Sequence, residues 1–248
     1  MTCLNNIKVK ITTQNISKSF GPIKALDDVS FQVDHGELFG VIGPDGAGKT
    51  TAIRILCGLS KPTSGEIMVA GLDVYRNANE IKKNIGYMSQ KFSLYENLTV
   101  WENIRFFAGI YGMRLKDIKL KGRHMLERLE IEHLRDKLIA SLPTGWRQKL
   151  AFSIAIFHEP QIVFLDEPTS GVDPVTRKQF WEMIYETAHN GTTVFVTTHY
   201  MDEAEYCDRV TIMTDGKIIA LDTPEQLKEH YNAKSMDEVF RKLARNIE

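Results

Sequence analysis

Long apolar runs are missing from this chain. No segment of its 248 residues approaches the roughly 20 consecutive apolar positions that a bilayer crossing demands, so any membrane role is expected to pass through a partner. The N-terminal MTCLNNIKVK also lacks the apolar middle region of a secretory leader. Cysteine is scarce: Cys3, Cys57 and Cys207 are odd in number and far apart, which argues against a disulfide framework and provides no metal-ligand spacing. Thiols in a reducing compartment, the cytosol, are the expectation. An excess of charge of either sign is missing as well, with a formal net charge of −1. There is no basic field of the kind that draws nucleic acid and no acidic tail. Repeats and low-complexity tracts are absent, and the length suits one α/β domain with an inserted or appended subdomain.

What is present alternates. Ile7, Val9 and Ile11, then Val29, Phe31 and Val33, recur with period two and predict antiparallel strands at an edge; Gly65 to Val69 predicts another such element. Apolar runs at Leu38 to Ile42, Ile162 to Leu165, Thr193 to Thr197 and Val210 to Met213 are separated by helical patterns. That order predicts a parallel sheet with both faces covered. From about Ser89 to Gly145 no strand signal occurs, and Trp101, Ile104, Phe106, Phe107, Met125, Leu126 and Leu129 recur at helical spacing, so a helical insertion with an apolar core is expected. Met236, Val239, Phe240 and Leu243 predict an amphipathic C-terminal helix docked on the core.

The chemistry concentrates in GPDGAGKTT, Gly43 to Thr51, which fits G-x-x-x-x-G-K-[ST] at every required position, between a strand and a helix expected over Lys49 to Gly58. Gly43, Gly46 and Gly48 clear side chains so that backbone N–H groups close around phosphate, with Pro44, Asp45 and Ala47 completing the loop. Lys49 adds a cation, Thr50 offers a hydroxyl to Mg²⁺, and Thr51 continues the helix. The expected ligands are a nucleoside triphosphate and Mg²⁺. IVFLDEP, Ile162 to Pro168, ends a strand in two carboxylates, where a parallel sheet presents its ligands. Asp166 is placed to hold Mg²⁺ and Glu167 to act as general base toward water; capping of the next helix is the alternative.

Over roughly residues 10 to 245 these motifs and their order resemble the ATP-binding subunit of an ABC transporter. The resemblance implies an α/β fold: a P-loop NTPase core with a parallel sheet, an antiparallel β edge subdomain and an inserted helical subdomain. It places the ATP-binding domain at 7–240, the insertion at about 90–145 and the C-terminal helix at 234–248. Phe20 in SKSFG matches the aromatic that stacks on adenine, a core aromatic being the alternative. Gln90 in GYMSQKF matches the glutamine that reaches Mg²⁺ and water, and His199 matches the histidine at the γ-phosphate. Ser170, Gly171, Val172 and Asp173 match the D-loop along a dimer interface; Asp173 before Pro174 also makes a helix N-cap.

The family's signature, usually LSGGQ, contacts ATP held by the opposite subunit. Here it reads Leu142, Pro143, Thr144, Gly145 and Trp146. Pro143 has neither hydroxyl nor N–H, so one charge-assisted contact worth about 1.5–3 kcal/mol is missing or passes to Thr144. Asp45 replaces the usual asparagine and brings a carboxylate near polyphosphate. The combination LPTGWRQ, DEPTSGVDP and THYMDEAEYCDR looks most like the ATPases of ABC-2 type, drug-efflux-like exporters. The implied partners are a second ATPase subunit, favoured as a non-identical one, and separate transmembrane permease subunits, with no nucleic acid; the implied location is the cytoplasmic face of the membrane. A soluble ABC ATPase and a regulatory ATP-binding subunit remain open at this point.

Overall fold

In the computed structural model, residues 9–90 and 94–245 are described, which leaves the expectations at Cys3 and Ile7, and the end of the C-terminal segment, outside the described residues. The chain begins with β1 (Val9–Phe20), β2 (Ile23–Asp34) and β3 (Leu38–Ile42), and then enters α1 (Lys49–Leu56). It continues through β4 (Ser64–Val69), β5 (Leu72–Asp73), α2 (Val74–Asn84) and β6 (Ile85–Met88). Three helices follow, α3 (Val100–Ile110), α4 (Leu115–Arg128) and α5 (Thr144–Ala155), before β7 (Ile162–Asp166), α6 (Pro174–His189) and β8 (Thr193–Thr198). The last elements are β9 (Arg209–Thr214), β10 (Lys217–Asp222), α7 (Pro224–His230) and α8 (Met236–Arg245).

Two sheets result. One has the order β10-β9-β3-β8-β7-β6, parallel throughout except for β10, which pairs antiparallel with β9. The other, β2-β1-β4-β5, is antiparallel, so the expected edge strands form a sheet of their own. Period-two alternation then divides the core. In β3 the side chains of Phe39 and Val41 join the cluster under the antiparallel sheet and α1, while Leu38 and Ile42 join the cluster under the helical insertion, α5 and α6. In β7, Ile162 and Phe164 face the first cluster and Val163 and Leu165 the second. Phe31 of β2 stacks on Phe39 at 5.5 Å and Phe39 on Phe195 of β8 at 5.7 Å, joining the two sheets by aromatic contacts. Both faces of the parallel sheet are therefore covered, and its loops are held from two sides.

Three features depart from the expectations. β6 and β10 were not anticipated: Ile85–Met88 is a four-residue run interrupted by Gly86, and β10 is only half-buried, so neither shows a clear period. Helix α1 ends at Leu56, short of Gly58, which adopts φ +66° and terminates it. In the insertion, Ile104, Met125, Leu126 and Leu129 are core as expected, but Phe106 is 42% exposed. It packs edge-on against Tyr95 and Phe107 at the surface. In α8, Met236, Val239 and Leu243 are buried against the second cluster, and Cys57 and Cys207 are buried free thiols.

Candidate active site

The loop between β3 and α1 is pressed into place from two sides. A Cβ on Gly43 would lie 2.3 Å from the Met213 carbonyl of β9. Gly48, at φ +102°, leaves only 2.5 Å between such an atom and the Ala25 carbonyl of β2. A side chain at either position would displace the backbone, so the sequence needs glycine there. The loop, with Ala25, Gln90 and Glu167, lines an open cavity of about 270 Å³.

Inside it, Lys49 and Glu167 are 4% and 5% exposed. The Lys49 ammonium donates to the carbonyls of Gly43 at 2.8 Å and Pro44 at 3.0 Å, and lies 3.2 Å from Glu167 Oε1. Glu167 Oε2 accepts from Gln90 Nε2 at 3.0 Å and is 3.1 Å from His199 Nδ1. Since a carboxylate only accepts, His199 donates through Nδ1–H in this contact. Glu167 itself has φ +49°, a left-handed conformation that strains a residue bearing a Cβ. Its N–H compensates by donating to both the carbonyl and the hydroxyl of Thr197, each at 3.1 Å.

Asp166, the last residue of β7, is sealed from solvent. Its Oδ1 accepts from the Thr50 hydroxyl at 3.1 Å and the Thr197 hydroxyl at 2.9 Å. Burial pushes its carboxyl above the ordinary value, and the two hydroxyls oppose that rise. A hydroxyl, a carboxylate and a side-chain amide oxygen are hard donors, the set that suits Mg²⁺, so the residues at Thr50, Asp166 and Gln90 fit that ion. Asp45 turns inward too. Its carboxylate, that of Glu167 and the His199 ring offer atoms within 4.8 Å of one another.

Sequence reasoning thus named Lys49, Thr50, Gln90, Asp166, Glu167 and His199, and the fold brings all six together. Phe20 stands 53% exposed at the end of β1, with the Lys18 ammonium 4.8 Å from its ring, so the core-aromatic alternative falls away. The signature residues do not line the cavity. Leu142 is buried, Pro143 is the N-cap of α5, and Thr144 begins the helix. Gly145 packs so close to α6 that a Cβ would meet Thr176 Cγ2 at 2.8 Å. Trp146 lies beside the Lys149 ammonium at 4.9 Å. Gln148 ties α5 to the segment after β7 by donating to the Ser170 carbonyl at 3.1 Å. Beyond Gly171 and Val172, Asp173 caps α6 by accepting from the N–H groups of Val175 and Thr176, both at 3.0 Å. Its carboxyl is held below the usual range, first by Thr176.

One residue was missed. Glu203 is fully buried and accepts from the hydroxyls of Thr169 at 2.7 Å and Thr198 at 2.6 Å. It thereby joins the segment following Glu167 to the one carrying His199. In the sequence it sits in MDEAEY, an acidic run that reads as a solvated face.

The profile of the family described as ABC transporter matches residues 26–170. The probable multidrug ABC transporter ATP-binding protein YbhF of Escherichia coli (strain K12) is 48% identical over 88% of this chain. The chain spans only 38% of that relative's length. The daunorubicin resistance ATP-binding protein DrrA3 of Streptomyces coeruleorubidus is 34% identical over 93% of this chain and 73% of its own. Among solved structures, an ATP-binding subunit of an ABC transporter superposes with a TM-score of 0.85 at 28% identity, covering 95% of this chain and 99% of the other. A dimeric ATP-binding cassette, MJ0796, bound to ADP and Pi gives 0.78 at 26% identity, over 86% and 98%.

Proposed function

The chain belongs to the ABC transporter family, and from that premise we propose that it is the ATP-hydrolysing motor of a membrane exporter. The observation that carries this reading is the convergence of Lys49, Gln90 and His199 on the Glu167 carboxylate, one residue from the Asp166–Thr50 pair. The loop from Gly43 to Thr51, with Pro44, Asp45, Gly46, Ala47 and Gly48, cradles the phosphates of ATP through its N–H groups, and Phe20 stacks on the base. Thr50, Gln90 and Asp166 would hold Mg²⁺, which neutralises phosphate charge when bound. Lys49 leaves Glu167 for the phosphates. The freed Glu167 accepts the proton of the attacking water, and His199, oriented through Nδ1, turns Nε2 toward the γ-phosphate. Gln90 positions the water.

ATP-driven pairing with a second ATPase subunit completes this scheme, with Leu142 to Trp146 at the N-terminus of α5 and Ser170 to Asp173 facing the partner's nucleotide. The absence of the signature from the cavity of its own chain supports an action in trans. Pro143 favours a non-identical partner, because a homodimer would repeat the missing contact in both sites. The unit is taken as 7–240, with the insertion at about 90–145 and the C-terminal helix at 234–248, of which α8 (Met236–Arg245) is the described part.

No helix among the described residues is long and apolar enough to cross a membrane. In the proposed scheme the work is passed to separate permease subunits at the cytoplasmic face. Tyr95, Phe106, Ile110, Leu115 and Leu120, all exposed on or next to α3 and α4, give the insertion an apolar surface suited to such a contact. The names of the relatives, multidrug and daunorubicin resistance, support export of organic compounds. The test is co-purification from native membranes after mild solubilisation. A stoichiometric membrane-spanning partner whose addition raises Mg²⁺-dependent phosphate release supports the proposal; an ATPase that purifies alone and is indifferent to membrane proteins overturns it.

A further inference from the structure

A second cavity, of about 280 Å³, lies wholly within the helical insertion and is lined by Trp101, Lys119, Arg123, Leu126, Glu132 and Arg135. Three cations and one carboxylate meet there. Three neighbouring cations are neutralised, Arg114 by Asp117, Lys121 by Glu159 and Arg128 by Glu186, while Lys116 and Lys137, off the cavity, have no ion pair among the described residues. Lys119, Arg123 and Arg135 form no ion pair and no side-chain hydrogen bond among the described residues; Arg135 only lies over the Trp101 ring, 4.4 Å from its centroid. Lys119 and Arg123 are also one turn apart on α4, a like-charge arrangement that weakens a helix.

The floor of the cavity is built with care that the helix alone does not require. Gly122 occupies the interior of α4, where glycine is costly relative to alanine. A Cβ there would lie 2.7 Å from Trp101 Cζ3, so the glycine lets the indole lie flat against the helix. The backbone N–H of Trp101 donates to the Arg135 carbonyl at 3.0 Å, which ties the start of α3 to the segment that carries the third cation. An aromatic plate, a guanidinium lying over it and two further cations thus line one opening without a counter-charge of matching size.

The geometry points to a binding site for a small phosphomonoester, separate from the ATP cavity and independent of the reading given for it. A dianionic phosphate balances the net charge of the pocket. Its three terminal oxygens suit two guanidinium forks and one ammonium better than a single carboxylate does, and the half-buried Trp101 indole, which lines the same cavity, borders the short stem that bears it. The same chemistry is offered by a soluble phosphorylated metabolite and by the headgroup of phosphatidic acid.

Two measurements on the full chain separate these sources. Glycerol 3-phosphate is titrated by calorimetry and by the ligand-dependent change in tryptophan fluorescence that Trp101→Phe is expected to remove, and the chain is sedimented with vesicles of phosphatidylcholine with and without phosphatidic acid. Saturable binding in the first arm assigns a soluble ligand, and binding to the phosphatidic acid vesicles alone assigns the headgroup. In either case Arg123→Gln with Arg135→Gln is expected to weaken binding about tenfold or more, the loss typical of charge-assisted contacts. Lys116→Gln with Lys137→Gln, off the pocket, is expected to leave it unchanged. Should the double variant melt abnormally, Arg123→Lys against Arg123→Gln decides, because a one-residue exposed change keeps or removes the charge alone. Absence of saturable binding in both arms, or equal loss in the off-pocket variant, overturns the proposal.

Discussion

The Lys49 ammonium and the Glu167 carboxylate lie 3.2 Å apart with both side chains almost sealed from solvent. Each neutralises the other in a pocket where an isolated charge is costly. In the function proposed above, this one pair would hold both the cation that binds phosphate and the base that activates water, and arrival of the phosphates would draw Lys49 away and free the base.

Removing the cation therefore has two separable effects. Lys49→Ala should abolish detectable ATP binding in calorimetry and, by leaving Glu167 buried and unpaired, lower the unfolding free energy by about 3 kcal/mol. Adding Glu167→Gln should recover most of that stability in chemical denaturation without recovering binding. Unchanged ATP affinity in Lys49→Ala would contradict the phosphate-loop reading.

The altered signature gives a gain-of-function test. Pro143→Ser with Thr144→Gly is expected to raise the ATPase rate of the isolated chain by up to about tenfold, if a contact near 1.4 kcal/mol in the transition state is restored. Steady-state phosphate release at saturating ATP reads it. An isolated wild-type chain that already turns over at about 1 s⁻¹ or faster, with no response to the reverting changes, would remove the argument for a non-identical partner.

His158 should make stability depend on mild acid. Its ring stacks on Tyr111, with centroids 3.5 Å apart, and its Nε2 lies 3.1 Å from the Ile85 carbonyl. Burial pushes its pKa from 6.5 down to about 4, against the pull of that carbonyl. Between those values the unfolded chain binds a proton that the folded chain refuses, so stability is complete above about pH 6.5 and declines as pH falls toward 4. The melting temperature of His158→Gln should fall less than that of the wild type between about pH 7 and about pH 4.5. Equal slopes would show that another group governs the acid response.

The buried parallel strands and the loop between β3 and α1 were legible because each rests on a local rule: an uninterrupted apolar run, or glycines at fixed spacing before Lys49. Gln90 and His199 were legible only through motif order, since nothing local distinguishes a loop glutamine or a histidine after a strand. The fold explains their place by ending β6 and β8 on either side of β7, which Glu167 directly follows. Glu203 left no signal, because its burial comes from hydroxyls at Thr169 and Thr198 that are distant or unremarkable in sequence. Phe106 misled for the opposite reason. A helical period states which residues share a face, but a helix with two apolar faces does not say which one meets the core.

The central claim is that Glu167 is the base of an ATP-hydrolysing site, and Glu167→Gln tests it most directly, because the amide keeps the size and the contacts with Gln90 and Lys49 within reach while removing the basicity. Equilibrium Mg-ATP binding and single-turnover phosphate release are measured on the same preparation. The account predicts retained binding with release slowed by about 10²-fold or more; release at the wild-type rate would contradict it.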